Sequence, residues 1–266
     1  MGAHAGEEPE ARQRRAPGPG DRLRRTPARR RRRAIWKAGV ALTIASVGAL
    51  TAGQPAGSAT ARAPASDAKR GGPARTVALW HMDERHGKLM RDAVRGHDGR
   101  LRSVRLGVPG FAGTAYRFDG RQSYVSVRPA GDLNPHRKRI VVAMHLRTTG
   151  TPARSHDWDL IRKGFYSTPG GEYKMEYYAS GRASCGFNGS SDYAELIAPP
   201  RLDDGHWHSI RCVKNRSRIK TIVDGRTFSK HARVGRIANG ARVVVGARPG
   251  SDWYRGSLDQ ARIKIG

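Results

Sequence analysis

Two glutamates on one face of a predicted strand are the first residues whose types and spacing could do chemistry. Glu172 and Glu176 lie four positions apart in Glu-Tyr-Lys-Met-Glu, and strand side chains alternate between two faces. Carboxyl pairs roughly 5 to 9.5 Å apart carry out glycoside hydrolysis. At about 3.3 Å per residue these two stand about 13 Å apart, with Lys174 between them. Hydrolysis by this pair is therefore only an alternative.

Two histidines on either side of a tryptophan could supply an acid or a base. His206 and His208 flank Trp207 and share one face of a predicted strand. Histidine titrates near neutral pH and serves both roles in catalysis. We favour a structural role for His208, held by hydrogen bonds within the fold.

Tryptophans beside aspartates are the candidates for ligand binding. Trp253 follows Asp252, and Trp158 lies between Asp157 and Asp159. An aromatic ring can cover the apolar face of a sugar while carboxylates accept hydrogen bonds from its hydroxyls. The competing interpretation is that each ring packs at the edge of the core.

The chain has two cysteines, Cys185 and Cys212. In an exported protein, two cysteines favour one disulfide over a metal site or a catalytic pair. Closing this loop would stabilise the fold by roughly 3 to 4 kcal/mol in the chain-entropy model. Two buried free thiols are the alternative.

The elements that must position these residues are short strands. Between Thr76 and Gly266, apolar residues alternate with polar ones, and Gly, Pro, Asn and Asp clusters separate the runs. This pattern predicts an all-β fold of two antiparallel sheets packed face to face, with about six strands each. The predicted strands are 77–82, 116–119, 124–127, 140–146, 160–163, 173–178, 194–198, 207–213, 219–223, 241–245 and 258–263.

Several of these runs resemble one family in both their residues and their order along the chain. The strings are Ala-Leu-Trp-His-Met-Asp-Glu at 78–84, Ala-Tyr-Arg-Phe-Asp-Gly at 115–120, Asp-Gly-His-Trp-His at 204–208, Ile-Val-Asp-Gly at 222–225 and Gly-Ser-Leu-Asp-Gln-Ala-Arg-Ile at 256–263. Together they resemble the laminin G-like domains of the concanavalin A-like lectin and glucanase superfamily. The resemblance implies a jelly-roll sandwich over residues 76–266.

The resemblance also bears on catalysis and on metal binding. Retaining glucanases of this superfamily carry a Glu-x-Asp-x-Glu strand, which this sequence does not contain. Many members bind one Ca²⁺ through aspartates, and the matching positions here are Asp119 and Asp259. Oxygen ligands of this kind suit Ca²⁺. The alternative is that both carboxylates accept backbone N–H bonds at turns.

The first 75 residues differ in composition from the rest. Residues 12–33 contain eleven arginines among Pro, Gly and Ala, which predicts a disordered basic tail. An apolar stretch at 34–53 and Ala-Thr-Ala at 59–61 complete a secretory signal, with cleavage expected near Ala61. We therefore assign 1–61 to the basic region and signal peptide, 62–75 to a flexible linker, and 76–266 to the sandwich.

The export route and the fate of the apolar stretch have alternatives. The arginine run before residue 34 resembles a twin-arginine signal, and general secretion is its rival. The apolar core at 38–52 is short for a bilayer span, so an uncleaved anchor is the less favoured interpretation. After cleavage we expect an extracellular protein with no stable membrane span.

The charge of the chain limits its partners. Lysines and arginines number 50 against 22 acidic residues, a formal net charge of +28. Such a surface attracts polyanions. No nucleic-acid-binding motif is present, so a specific nucleic acid is not expected. A basic, soluble surface without one partner is the plainest alternative.

These observations predict a secreted, non-catalytic protein that binds a glycan or an anionic cell-envelope polymer. A divergent polysaccharide hydrolase of the same fold is one alternative. A structural or protein-interaction module that adheres to anionic wall polymers is another.

Overall fold

A computed structural model of the chain describes residues 73–266. The predicted basic tail, the signal peptide and most of the linker lie outside this range. The described residues form two antiparallel sheets of eight strands each, which confirms the predicted all-β sandwich. Within them, no helix is long and apolar enough to cross a membrane.

Sixteen strands and one 3₁₀ turn, Gly131–Leu133, make up the fold. The strands are β1 (Arg75–Trp80), β2 (Leu89–Met90), β3 (Gly99–Arg102), β4 (Arg105–Pro109), β5 (Thr114–Asp119), β6 (Tyr124–Val127), β7 (Ile140–Arg147), β8 (Asp157–Lys163), β9 (Glu172–Tyr178), β10 (Ala183–Asn188), β11 (Tyr193–Ile197), β12 (His208–Lys214), β13 (Arg218–Val223), β14 (Arg226–His231), β15 (Val243–Val245) and β16 (Arg255–Ile265).

The two sheets differ in strand order. The first runs β14-β13-β12-β7-β16-β5-β4, and β1 pairs with the second half of β16. The second runs β11-β10-β9-β8-β15-β6-β3-β2. Neighbouring strands are often far apart in sequence, so non-local pairing holds both sheets together.

Alternation along the strands explains the core between the sheets. In β13, Ile219, Thr221 and Val223 are buried, whereas the residues between them are partly exposed. In β12, Ile210 and Cys212 point into the same core, as strand parity predicts. Each strand therefore gives one row of side chains to the core and the other to an outer face.

A disulfide joins the two sheets through this core. Cys185 in β10 of the second sheet is bonded to Cys212 in β12 of the first, with 5.3 Å between their Cα atoms. Both cysteines are buried. The predicted pairing is confirmed, and the bridge covalently links one layer to the other.

Eleven of the strands match the predicted runs, and β6 does so residue for residue. The five that sequence reasoning missed are β2, β3, β4, β10 and β14. They are short, or lie at a sheet edge, or carry small and charged residues with few apolar ones, so their alternation is weak. β1 begins at Arg75, one residue before the predicted start of the domain.

His208 connects two turns of the first sheet. Its Nδ1 lies 2.8 Å from Asp224 Oδ2, and its Nε2 lies 2.9 Å from Asp204 Oδ1. Asp224 and Gly225 form the β13–β14 turn with φ angles of 47° and 79°, as in the two-residue turns of tight hairpins. These contacts favour the structural role for His208.

The charge on His208 should stabilise the fold at low pH. Partial burial opposes the charged form, but the hydrogen bonds and charges of Asp224 and Asp204 outweigh it and raise the pKa of His208. A raised folded-state pKa gives stability that is full below the unfolded pKa of about 6.5 and is lost as pH rises through the folded pKa. We expect His208→Gln to lower the melting temperature more at about pH 5.5 than at about pH 9.

The control is His206→Gln, because the side chain of His206 is 82% exposed. It should change the melting temperature little at either pH. An equal loss for His208→Gln at both pH values would show that the imidazolium charge contributes nothing.

Candidate functional site

The outer face of the second sheet collects polar side chains that alternate with core residues. In β6, Val125 and Val127 face the core, so Tyr124 and Ser126 point outward. In β3, Leu101 packs against the core while its two arginine neighbours are exposed. Cross-strand pairing brings these outward residues side by side.

A cavity of about 700 Å³ lies over this part of the face. We call it the sheet-face cavity. Its lining comes from β3, β6, β15, the end of β8 and the loops around them. The residues are Arg100, Leu101, Arg102, Tyr124, Ser126, Arg162, Gly164, Phe165, Ala241, Arg242, Val244 and Pro249.

The sheet-face cavity is basic. Arg100, Arg102 and Arg242 are exposed, and none of them takes part in an ion pair within residues 73–266. Arg162 is 5% exposed and forms ion pairs with Asp159 (2.5 Å) and Glu172 (2.8 Å). Three guanidinium groups are therefore free to bind an external anion.

Aromatic rings border the sheet-face cavity: Tyr124 and Phe165 line it, and Trp253 packs beside Tyr124. The Tyr124 ring lies 6.0 Å from the guanidinium carbon of Arg102, and the Trp253 ring lies 5.9 Å from Tyr124 between centroids. Both residues are only partly buried. Trp253, a predicted ligand-binding residue, thus stands beside the cavity next to a tyrosine that lines it.

Asp252, the second predicted ligand-binding residue, is tied into the loop before Trp253. Its carboxylate accepts a hydrogen bond from the Ser251 hydroxyl at 3.0 Å and lies 3.8 Å from Arg248. Its backbone carbonyl accepts the N–H of Asp159. Burial, followed by the charge of Asp252, raises the pKa of Asp157. Asp252 therefore joins the loop to β8.

Trp158, the third predicted ligand-binding residue, points toward the core. It lies within β8, and its ring stacks on Tyr177 at 5.7 Å and meets the edge of Tyr254 at 5.7 Å. Its flanking aspartates point to the outer face instead. This packing favours the structural alternative for Trp158.

The same outer face carries a group of carboxylates on β8, β9 and β11. Glu172 and Glu176 share this face, as predicted, and acids from other strands lie beside Glu176. Asp159 pairs with it across β8 and β9. The Tyr178 hydroxyl donates to Glu195 Oε1 at 2.6 Å and lies 3.3 Å from Glu176 Oε2. One hydroxyl thus separates two glutamates.

The environments of these acids push their pKa values apart. Burial raises the pKa of Glu176 to about 8, although Lys174 lies 2.5 Å from its carboxylate and opposes the shift. The pKa of Glu195 is lowered instead. Burial opposes this shift, but hydrogen bonds from donors including Ser184 and Tyr178 outweigh the effect of burial. Sequence reasoning missed this group because it compared positions along one strand and not across strands.

Asp119, a predicted calcium ligand, caps the turn between β5 and β6. Its Oδ1 accepts backbone N–H groups from Arg121, Gln122 and Ser123 and the Ser123 hydroxyl. Burial opposes ionisation, but the Gln122 N–H and these other donors hold the pKa of Asp119 at about 2. The carboxylate does the work of a turn cap.

Asp259, the other predicted ligand, holds a different turn. Its Oδ2 accepts the N–H groups of Phe111 (2.8 Å) and Ala112 (3.1 Å), and its Oδ1 is buried with no hydrogen-bond partner. Arg255 is the residue of β16 that pairs with Asp119, so the two aspartates are offset by about 13 Å along the strands. They do not fit one shared ion.

Calcium binding at either aspartate stays a proposal. In the part of the chain that the structure describes, no three His, Cys, Asp or Glu side chains are grouped to hold a metal ion. Backbone carbonyls and water would have to complete any calcium site there.

Solved structures of similar fold include toxin domains and domains of glycan-active enzymes. The binding domain of Paraclostridial Mosquitocidal Protein 1 aligns with a TM-score of 0.60 at 13% identity, over 71% of this chain and 48% of that one. Domain 4 of an extracellular arabinanase from Geobacillus stearothermophilus, solved with arabinotriose, aligns with a TM-score of 0.51 at 14% identity, over 73% of this chain and 93% of that one. Trypanosoma rangeli sialidase in complex with sialic acid aligns with a TM-score of 0.54 at 11% identity, over 71% of this chain and 30% of that one.

These likenesses show the fold, and the chain spans about half of the toxin domain's length. No curated protein matched the sequence. The family model described as the concanavalin A-like lectin/glucanases superfamily, of the laminin G type, matches residues 119–264. That match covers more than half of the sequence and both sheets, and the chain therefore belongs to the concanavalin A-like lectin/glucanases superfamily.

Proposed function

We propose that this chain is a secreted, non-catalytic binding protein for glycans that carry acidic groups, and that the sheet-face cavity holds the ligand. The observation that carries the proposal is the set of three unpaired arginines around a cavity with aromatic rings at its border. The volume of the sheet-face cavity, about 700 Å³, falls within the range of roughly 300 to 1,000 Å³ that is typical of small-molecule sites.

The chemistry of the lining supports an acidic sugar. Guanidinium groups bind carboxylate and sulfate-like anions through paired N–H donors. The faces of Tyr124 and Trp253 offer surfaces on which a sugar ring can stack. Ser126 adds a hydroxyl for the sugar's own hydroxyls. Charge and stacking together distinguish this face from a basic surface without a specific partner.

The comparisons support a binding role in kind. The arabinanase domain was solved with a bound trisaccharide, and the toxin structure is that of a binding domain. A family of lectins and glucanases makes sugar the expected ligand class. The proposal that the protein is secreted depends on the predicted signal peptide at 1–61. It includes cleavage near Ala61 and a flexible linker at 62–75.

Arginine and tyrosine substitutions test the sheet-face cavity. We expect Arg242→Gln to weaken binding of polygalacturonate oligomers by about tenfold, because a hydrogen bond to a charged group is lost. Tyr124→Ala should weaken it by about three- to tenfold through lost stacking. The measurement is isothermal titration calorimetry on the purified domain at two ionic strengths.

Arg226→Gln is the matched control, because it removes the same charge from an exposed position on β14 of the other sheet. It should change affinity by less than about twofold. If the Arg226 variant loses as much affinity as the Arg242 variant, the oligomers bind through the net charge of the protein, and the sheet-face cavity is not the binding site.

A second candidate function is glycoside hydrolysis by Glu176 and Glu195. The observation that favours it is a raised pKa and a lowered pKa on neighbouring carboxylates, which is how acid and base roles are divided. Against it, Glu176 is only 2% exposed and is ion-paired with Lys174, and three hydroxyls donate to Glu195. A satisfied network of this kind fits a structural role, so binding without cleavage is the first proposal.

Reducing-sugar release separates the two candidates. We expect no release above background from polygalacturonate, arabinan or β-glucan, with wild type and Glu195→Gln giving the same trace. Release by wild type that falls by about a hundredfold or more in Glu195→Gln would establish the hydrolase instead.

A further inference from the structure

A second basic cavity, of about 930 Å³, lies at one end of the sandwich. We call it the end cavity. It lies among the residues before β7, the β12–β13 turn, the loops after β10 and β14, and the residues that flank β1 and β16. The lining residues are Pro73, Arg137, Lys138, Arg139, Ser191, Lys214, Asn215, Arg216, Ser217, Arg233, Gly235 and Gly266. It shares no lining residue with the sheet-face cavity.

Positive charge dominates the end cavity. Five of its lining residues are exposed lysines or arginines and a sixth is buried, while no aspartate or glutamate lines it. Across residues 73–266, none of these six takes part in an ion pair. No ion pair within the described domain therefore neutralises any of these six cations.

Lys214 forms the buried part of this charge. It is 1% exposed, and its Nζ lies 3.3 Å from the carbonyl oxygen of Lys138 and 3.5 Å from that of His136. Burial, and then the charge of Arg137, lowers the pKa of Lys214 to about 8. A buried ammonium with carbonyl partners but no carboxylate is a group that a bound anion would stabilise.

We propose that the end cavity binds a linear polymer of phosphate groups. Each internal phosphate of a linear polymer carries one negative charge and two non-bridging oxygens, and successive phosphates follow one another more closely than the carboxylates of a polyuronate, so one chain can engage several cations at once. Arginine binds phosphate in a bidentate manner, and lysine binds it as a point charge. The spread of cations around the cavity suits a chain of phosphates more than one small ion.

The consequence is a domain with two independent anion sites. The sheet-face cavity has aromatic rings beside its arginines and suits a sugar. The end cavity has cations and small polar residues but no aromatic lining, and suits a ligand without rings. One molecule could therefore hold an acidic glycan and a phosphate polymer at the same time.

Calorimetric titration with linear inorganic polyphosphate tests the proposal. In the double variant Arg216→Gln with Arg233→Gln, we expect affinity to fall by about tenfold or more at low salt. The slope of log affinity against log salt concentration should fall by about two, one for each lost phosphate contact. Both residues are exposed, so the fold should survive, which a melting curve checks.

Two further variants keep this test separate from that of the sheet-face cavity. The double variant Arg226→Gln with Arg211→Gln removes two exposed charges elsewhere on the first sheet and should change polyphosphate affinity little. Arg242→Gln should leave polyphosphate affinity unchanged while weakening polygalacturonate. Equal losses in the Arg216/Arg233 variant and its control would overturn the end cavity. So would polygalacturonate bound as tightly as polyphosphate with the same dependence on Arg216 and Arg233.

Discussion

Burial of every second side chain between the two sheets is the interaction on which the rest of the structure depends. Because each strand commits one row of residues to the core, the opposite row must face outward, whatever its chemistry. Apolar burial contributes roughly 25 cal/mol per Å², so a strand that slipped by one residue would expose its entire apolar row. The disulfide between β10 and β12 adds a covalent link between the layers.

This constraint distributes charge over the outer face of the second sheet. On β8, β9 and β11 the outward row brings carboxylates together, and their proximity is tolerated because Arg162, Lys174 and three hydroxyls engage them. On β3 and β6 the outward row brings arginines and a tyrosine, and those arginines have no acidic partner in the described domain. One half of the face is thus paired within the domain, apart from Asp159 Oδ1 and Glu172 Oε1, which are buried without a hydrogen-bond partner, and the other half carries arginines without acidic partners.

The sequence was sufficient to predict the sandwich, because the runs on β6 and β13 alternate cleanly and the family strings occur in order. It also predicted the disulfide. The site was harder to predict. β3 reads Gly-Arg-Leu-Arg and has one apolar residue, so it gave no strand signal, and its two arginines were not placed beside Tyr124. Starting β8 at residue 160 and not at Asp157 hid the parity that turns Trp158 inward.

Cross-strand register was the missing information in each case. Glu176 and Tyr178 lie on β9, and only the pairing of β9, β10 and β11 brings Glu195 beside them. The end cavity likewise gathers residues from six separate segments. Register also bears on the predicted calcium ligands. Asp119 pairs with Arg255 and not with Asp259, so the resemblance of the two strings to the family did not place the two carboxylates side by side.

Hydrogen–deuterium exchange with and without acidic oligosaccharide tests most directly the claim that the outer face of the second sheet is the working surface. With polygalacturonate oligomers at saturation, we expect slower exchange at 99–102, 124–127 and 241–245, with β12 and β13 unchanged. Protection confined to the strands of the first sheet, or absent from all three segments despite calorimetric binding, would contradict the account.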